Sequence, residues 1–178
     1  SPLPPMTPEV LRSRAKRLVE KTPTFGVSKA ATWTKLGKDA LAAGAPASAK
    51  KHLEKALATA DVSDDPGVEA AAREALGDTF RSDGAAVDAG GDQLEQYRKA
   101  VALRERAGVP ADTIASMARL CRALLGDRER HRAEIKDAIE KMKAHGDDDA
   151  ADLRVAGALA NAGRLLADHP ETAEPLLE

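Results

Sequence analysis

The sequence has few aromatic residues, and alanine supplies much of what could fill a core. Aromatic residues make up 2% of its 178 residues, and the hydrophobic residues, many of them alanine, make up 43%. Sandwiches and barrels rely on β-branched and aromatic side chains, whereas alanine-rich helices can approach one another closely. The composition therefore predicts an all-α fold, and the length predicts one domain or one short run of stacked repeats.

Scarce cysteine, balanced charge and the lack of long apolar runs exclude further classes of protein. The single cysteine, Cys121, cannot form an internal disulfide, so we expect a cytoplasmic protein rather than a disulfide-stabilised secreted one. The 27 basic and 29 acidic residues leave a formal charge of −2, and the basic clusters lack interleaved aromatics, so we expect no nucleic-acid partner. No apolar run approaches the roughly 20 residues of a membrane span, so we expect no membrane insertion.

Caps, glycines and prolines divide the chain into predicted helices that come in pairs from Ser28 onward. Because the chain begins Ser1-Pro2 rather than with Met, we expect it to be part of a longer protein. The predicted segments are a disordered proline-rich tail at 1–7, a helix and connector at 8–27, repeats over 28–168 divided at about 28–63, 64–109, 110–146 and a partial 147–168, and a tail or truncated helix at 169–178.

Small residues recur at a regular spacing on the first helix of each predicted pair. They are Gly37, Gly77, Ala118 and Gly157, separated by 40, 41 and 39 positions. A helix pair cannot bury its apolar face alone and must stack on its neighbours. The period therefore predicts a right-handed α-solenoid of antiparallel helix pairs with one concave face.

The first predicted repeat has a spaced set of large and small residues, namely Trp33, Leu36, Gly37, Ala40, Ala49, Leu53 and Ala56. These residues match the signature positions of the tetratricopeptide repeat (TPR), which this repeat therefore resembles. The second unit keeps Leu76, Gly77, Phe80, Tyr97 and Ala100, and the third keeps Ile114, Met117, Ala118, Cys121, Ile135 and Ala138. The fourth offers Leu153, Gly157 and Ala160, with its second helix absent or barely begun. The resemblance implies a TPR-like helical repeat over residues 28 to about 168.

The resemblance also implies a function, because the first helices of such repeats line a concave groove that holds a peptide or partner protein. Charge-assisted hydrogen bonds would fix the register of the peptide, although the same residues could be ordinary solvated helix surface. Some members of that family bind the C-terminal carboxylate of a partner through lysines and asparagines on successive first helices. Here the asparagines are missing and Asp78 would repel a carboxylate, so we do not expect this kind of binding. The implied partner-binding residues are Thr34, Lys38, Leu41, Glu74, Asp78, Arg81, Ala115, Arg119 and Arg122.

Residue patterns for catalysis or metal binding are not found in the sequence. The four histidines, His52, His131, His145 and His169, have no i, i+4 partner of the kind that zinc-binding helices use, and Cys121 falls on a predicted core face. The acidic runs 61–65 and 147–149 are interpreted as helix caps. We expect no catalytic residues, no metal, no cofactor and no enzymatic activity. The glycine-rich stretch 82–92 is a secondary candidate for contacts with a partner.

Three other hypotheses remain open from the sequence alone. The chain could be a regulatory or ligand-sensing domain that packs on a catalytic or DNA-binding neighbour in a larger protein. A small all-helical enzyme is the second, and a buried acid–base pair in a pocket would support it. Homodimerisation through an unfinished C-terminal repeat is the third. The leading interpretation is a non-catalytic interaction module, an adaptor or scaffold.

Overall fold

The computed structural model describes residues 5–21, 28–82 and 92–177, and within these ranges it contains helices and no strand. The chain divides into two compact units, Ser1–Ala86 and Val87–Glu178. The helices are α1 (Pro8–Lys21), α2 (Lys29–Ala42), α3 (Pro46–Ala58), α4 (Pro66–Ser82), α5 (Asp92–Ala107), α6 (Pro110–Leu124), α7 (Arg132–Asp148), α8 (Leu153–Leu165) and α9 (Pro170–Leu177), with 3₁₀ turns at Val62–Asp64 and Leu125–Asp127.

The first compact unit, Ser1–Ala86, is built on a helical hairpin of α2 and α3. Gly44 has a φ of 75°, a left-handed conformation that ends α2, and Pro46 begins α3 directly afterwards. The chain reverses because Gly44 N donates to Leu41 O and Ala45 N donates to Ala40 O, at 3.0 and 2.9 Å. Helix α4 packs on both members of the hairpin, and α1 packs against α2 and α3.

The TPR signature positions of the first repeat lie in or against the core, as the resemblance implied, except for Leu36, which is half-buried. Gly37 is buried where α2 crosses Leu53 of α3, and the surrounding core adds three residues of α4. Small side chains on three helices therefore set a close packing distance. The buried members of this core are Ala40, Ala49, Leu53, Ala56, Ala72, Ala75 and Leu76.

In the second compact unit, Val87–Glu178, α6 is the central helix and packs against α5, α7 and α8. Its apolar face, which includes Ile114, Met117 and Cys121, is almost completely buried. Leu94 and Tyr97 of α5 join the same core, as do Ile135 and Met142 of α7. The signature positions of the predicted third unit are thus core positions.

In the predicted fourth repeat, the residues of α8 that were predicted to face the core are not the ones that do, so this prediction was wrong. Leu153 is 87% exposed, and a β-carbon at the exposed Gly157 would meet no other described atom within 4 Å. The inward positions lie two residues further on, at Val155, Ala158, Leu159 and Ala162. The shift arises because α7 continues through the acidic run to Asp148, and α8 is capped instead by Asp152, whose side chain accepts a hydrogen bond from Arg154 N at 2.8 Å.

Helix α9 fills the place in which the sequence predicted an absent or barely begun second helix. It has eight residues and packs against α8 and α7, with Ala173 in the core beside Leu166. The observation that motivated the homodimer hypothesis, a missing last helix, therefore no longer supports it.

Candidate functional site

Two carboxylates of the linker between α3 and α4 fix the starts of α2 and α4. Asp61 Oδ2 and Oδ1 accept hydrogen bonds from Lys29 N and Ala30 N, at 3.1 and 3.2 Å, and so tie the end of the hairpin to its beginning. Asp65 Oδ1 accepts from the first amides of α4, Gly67 N at 3.0 Å and Val68 N at 3.2 Å. The interpretation of this acidic run as helix caps is confirmed.

Between α2 and α4 lies a groove of about 550 Å³. Several of the residues that line it are small. Helix α2 contributes one face at helical spacing, and α4 contributes its first turns and the residue that caps it. The lining residues are Ala31, Thr34, Lys35, Lys38, Asp39, Asp65, Gly67, Val68 and Ala71.

Most polar groups in this groove already have partners. The Thr34 hydroxyl, on a residue only 5% exposed, donates to Ala30 O at 2.8 Å. Lys35 Nζ lies 2.9 Å from Asp39 Oδ2 in an exposed i, i+4 ion pair. Lys38 is exposed and, within the described residues, forms no ion pair. Its ammonium is therefore the cation that this groove can offer to a ligand.

The nine predicted partner-binding residues do not share one environment. Thr34 and Lys38 line the α2–α4 groove together. Leu41 packs against the core, Glu74 is 8% exposed, and Asp78 is half-buried. The side chain of Arg81 lies outside the described residues. On α6 of the second unit Ala115 and Arg122 are exposed and Arg119 is half-buried.

Sequence reasoning missed most of the α4 side of the groove. Gly67, Val68 and Ala71 lie in the first turns of α4, whereas the predicted residues of that helix, Glu74 and Asp78, lie further along it. On α2 the lining residues that were not predicted, Ala31, Lys35 and Asp39, share the face of Thr34 and Lys38 at i, i+3, i+4, i+7 and i+8 spacing. This spacing is visible in the sequence and would have been enough to predict the α2 side of the groove. The secondary candidate at 82–92 lies almost entirely outside the described residues.

The cysteine of the chain, Cys121, has a structural role. Burial raises the pKa of the Cys121 thiol to about 11, and the residue is part of the core, as predicted. In the described ranges no three His, Cys, Asp or Glu side chains cluster as metal ligands do. Over the same ranges, no helix is both long enough and apolar enough to cross a bilayer.

Two crystal structures resemble this chain over almost its whole length. Both are of the nearly identical TPR-like repeats of a protein from Podosopora anserina that carries the provisional name kinesin light chain. Each is 16% identical to this chain in sequence, and the TM-scores are 0.58 and 0.57. The matches cover 95% of this chain and 81% and 82% of the other chains. Neither the comparison with protein-family models nor that with curated proteins gives a match.

The structural likeness defines the class of fold. The chain adopts an all-α, TPR-like repeat fold in which neighbouring helices pack as pairs. This confirms the fold and the resemblance predicted from the sequence. Folds of this class are generally protein-interaction scaffolds that present extended binding surfaces.

Proposed function

We propose that the chain is a protein-interaction module that holds a peptide segment of its partner in the α2–α4 groove. The observation that carries the proposal is the exposed Lys38 ammonium, free of ion pairs in the described residues, beside small residues that permit close approach. In the cytoplasm, where the single cysteine suggests that it works, such a module would serve as an adaptor or scaffold without catalysing a reaction.

The contacts available in the groove indicate the kind of peptide that would fit. An Asp or Glu side chain opposite Lys38 would form a charge-assisted hydrogen bond with the ammonium. Because the proton of the Thr34 hydroxyl is donated to Ala30 O, that hydroxyl can only accept from a peptide N–H. Ala31 and Ala71 would accommodate an extended backbone at short range.

The other predicted residues extend the proposal along the first helices. Helix α6 offers exposed Ala115 and Arg122 and half-buried Arg119 as contacts for a longer partner. On α4, half-buried Asp78 would favour a basic group. These positions, together with Leu41, Glu74 and Arg81, remain predictions about the extent of the interface.

Selection from a random peptide library tests the proposal even while the natural partner is unidentified. Peptides selected on the wild-type chain should bind the Lys38→Glu variant at least about tenfold more weakly, since an attraction becomes a repulsion. Lys143→Glu, at an exposed position of α7, is the matched control and should retain wild-type affinity. Equal binding to all three proteins would place the interaction away from this groove.

A further inference from the structure

A second cleft in the first unit has no role in the proposed peptide groove. It lies between α1 and α3 and has a volume of about 540 Å³. Most of its wall is aliphatic carbon, supplied by long side-chain stems and one alanine. The residues that line it are Arg12, Lys16, Lys51, His52, Glu54, Lys55 and Ala58.

The charges around this cleft are strongly unbalanced. Among the described residues that line it are four cations and one carboxylate, Glu54. Arg12 and Lys16 are four residues apart on α1, as are Lys51 and Lys55 on α3, so each helix presents two cations on one face. Within the described residues none of the four forms an ion pair with an acid. Their mutual repulsion would be relieved by a bound anion.

One wall of the cleft is held rigid by Trp33, His52 and Lys55. The rings of Trp33 and His52 stack with centroids 5.5 Å apart, and Lys55 Nζ lies 4.6 Å from the centroid of Trp33. His52 is 3% exposed, and its Nδ1 atom has no hydrogen-bond partner among the described residues. Buried polar atoms in folded proteins usually have a hydrogen-bond partner, so a ligand in the cleft could supply the one that Nδ1 lacks.

The environment of His52 favours its neutral form. Burial lowers the pKa of the imidazole, and the positive charges of Lys55 and Arg12 lower it further. Lys16 and Lys51 also line the cleft, and Glu54 is the acidic group that opposes them. An anion bound among these cations would make protonation of His52 easier, so the imidazole reports on what occupies the cleft.

We propose that the α1–α3 cleft binds the phosphate group of an organic phosphate monoester. Such a group carries about −1.5 to −2 charges at pH 7 and offers several strong acceptor oxygens, which suits a cleft lined by four cationic residues. The aliphatic walls favour an ester with an organic substituent over free phosphate. The proposal does not depend on the α2–α4 groove, so the two can fail separately.

The test is an NMR titration of the full 178-residue chain, with the His52 resonance assigned by comparison with a His52→Gln variant. Phenyl phosphate and inorganic phosphate are added separately, with potassium chloride at matched ionic strength as the control. We expect saturable shifts with both phosphates, affinity several-fold higher for phenyl phosphate, and a higher His52 pKa in the bound state. Equal affinity for the two phosphates would overturn the ester in favour of inorganic phosphate.

Matched lysine variants locate the binding. Lys51→Gln alone, and Lys51→Gln combined with Lys55→Gln, should weaken phenyl phosphate binding, the double variant at least about tenfold. Lys136→Gln combined with Lys143→Gln removes two exposed lysines of α7 and should leave the affinity unchanged. Shifts that follow ionic strength alike for chloride and phosphate, or affinities that are equal in all variants, would overturn the proposal.

Discussion

Gly37 of α2 lies so close to Leu53 of α3 that a β-carbon at position 37 would be 2.5 Å from Leu53 Cγ. Leu53 is completely buried, so its side chain has little room to move away. This contact sets the distance between the two helices whose hairpin carries one wall of the α2–α4 groove and one wall of the α1–α3 cleft.

Gly37→Ala should therefore destabilise the protein although alanine is the better helix former. The overlap with Leu53 costs about 1–3 kcal/mol, which exceeds the gain in helix propensity of about 1 kcal/mol. Gly157→Ala is the control, since position 157 is helical, exposed and uncrowded, and it should stabilise by up to about 1 kcal/mol. Urea unfolding followed by circular dichroism measures both, and a stabilising Gly37→Ala would contradict the close packing.

Asp61→Ala should loosen the start of α2, because Asp61 accepts hydrogen bonds from Lys29 N and Ala30 N. We expect a loss of about 1 kcal/mol in the free energy of unfolding, the usual size for a lost helix cap. Asp64→Ala, at an exposed position of the 3₁₀ turn that follows Asp61, should change the free energy of unfolding by a few tenths of a kcal/mol at most. Hydrogen exchange of the first amides of α2 should accelerate in Asp61→Ala only.

The Arg98–Glu134 pair joins α5 to α7 through two parallel bonds, Nε to Oε1 at 2.8 Å and Nη2 to Oε2 at 2.9 Å. Hydrogen bonding from Arg98 lowers the pKa of Glu134, whereas burial opposes this change. A lowered folded-state pKa stabilises the protein above the ordinary carboxyl value of about 4.3, and that stabilisation disappears as pH falls through the lowered value.

Glu134→Gln should thus reduce stability by about 0.5–1 kcal/mol at pH 7, a modest effect because both groups are partly exposed. The difference from wild type should stay constant down to about pH 5 and shrink below about pH 4. Denaturant melts at several pH values measure it. Glu129→Gln, which breaks the exposed pair with Arg132, is the control and should show no measurable change. A Glu134 effect that grew as pH fell would contradict the assigned pKa direction.

Cys121 should be inert in the folded protein. Its thiol is buried and has a pKa of about 11, so little thiolate exists at pH 8 and no reagent can reach it. We expect reaction with Ellman's reagent to require unfolding, with a rate at least about a hundredfold higher in denaturant. Fast labelling under native conditions would show that the α6 core opens readily.

The sequence contained enough information for the helix pairs of the first and third predicted repeats, which are α2 with α3 and α6 with α7. Trp33, Gly37 and Leu53 are large and small residues at positions where two helices cross, and such complementarity is local enough to read from one chain. The prediction for the fourth repeat failed because Leu153 and Gly157 match the family pattern by residue type although both are exposed. Only the extension of α7 to Asp148 shows that the inward face begins at Val155.

The candidate site was predicted less well than the fold, and for a physical reason. Helical spacing places Thr34 and Lys38 on one face, but it cannot show which turn of α4 lies opposite them. That alignment depends on how α4 packs on the hairpin, and therefore on Asp65 as its cap and on the small residues that follow it. The cluster of cations at the α1–α3 cleft could not be predicted from the sequence, because Arg12 and Lys55 are far apart in the chain and only the packing of α1 on α3 brings them to one cleft.

Mapping amide chemical shifts of the ¹⁵N-labelled chain, while a library-selected peptide is added, shows whether a partner peptide binds between α2 and α4. We expect the largest changes at the groove residues Ala31, Lys38, Gly67 and Ala71, and we expect Lys38→Glu to abolish them at the same peptide concentration. If the shifts are concentrated elsewhere and these four amides do not move, the peptide does not bind in this groove.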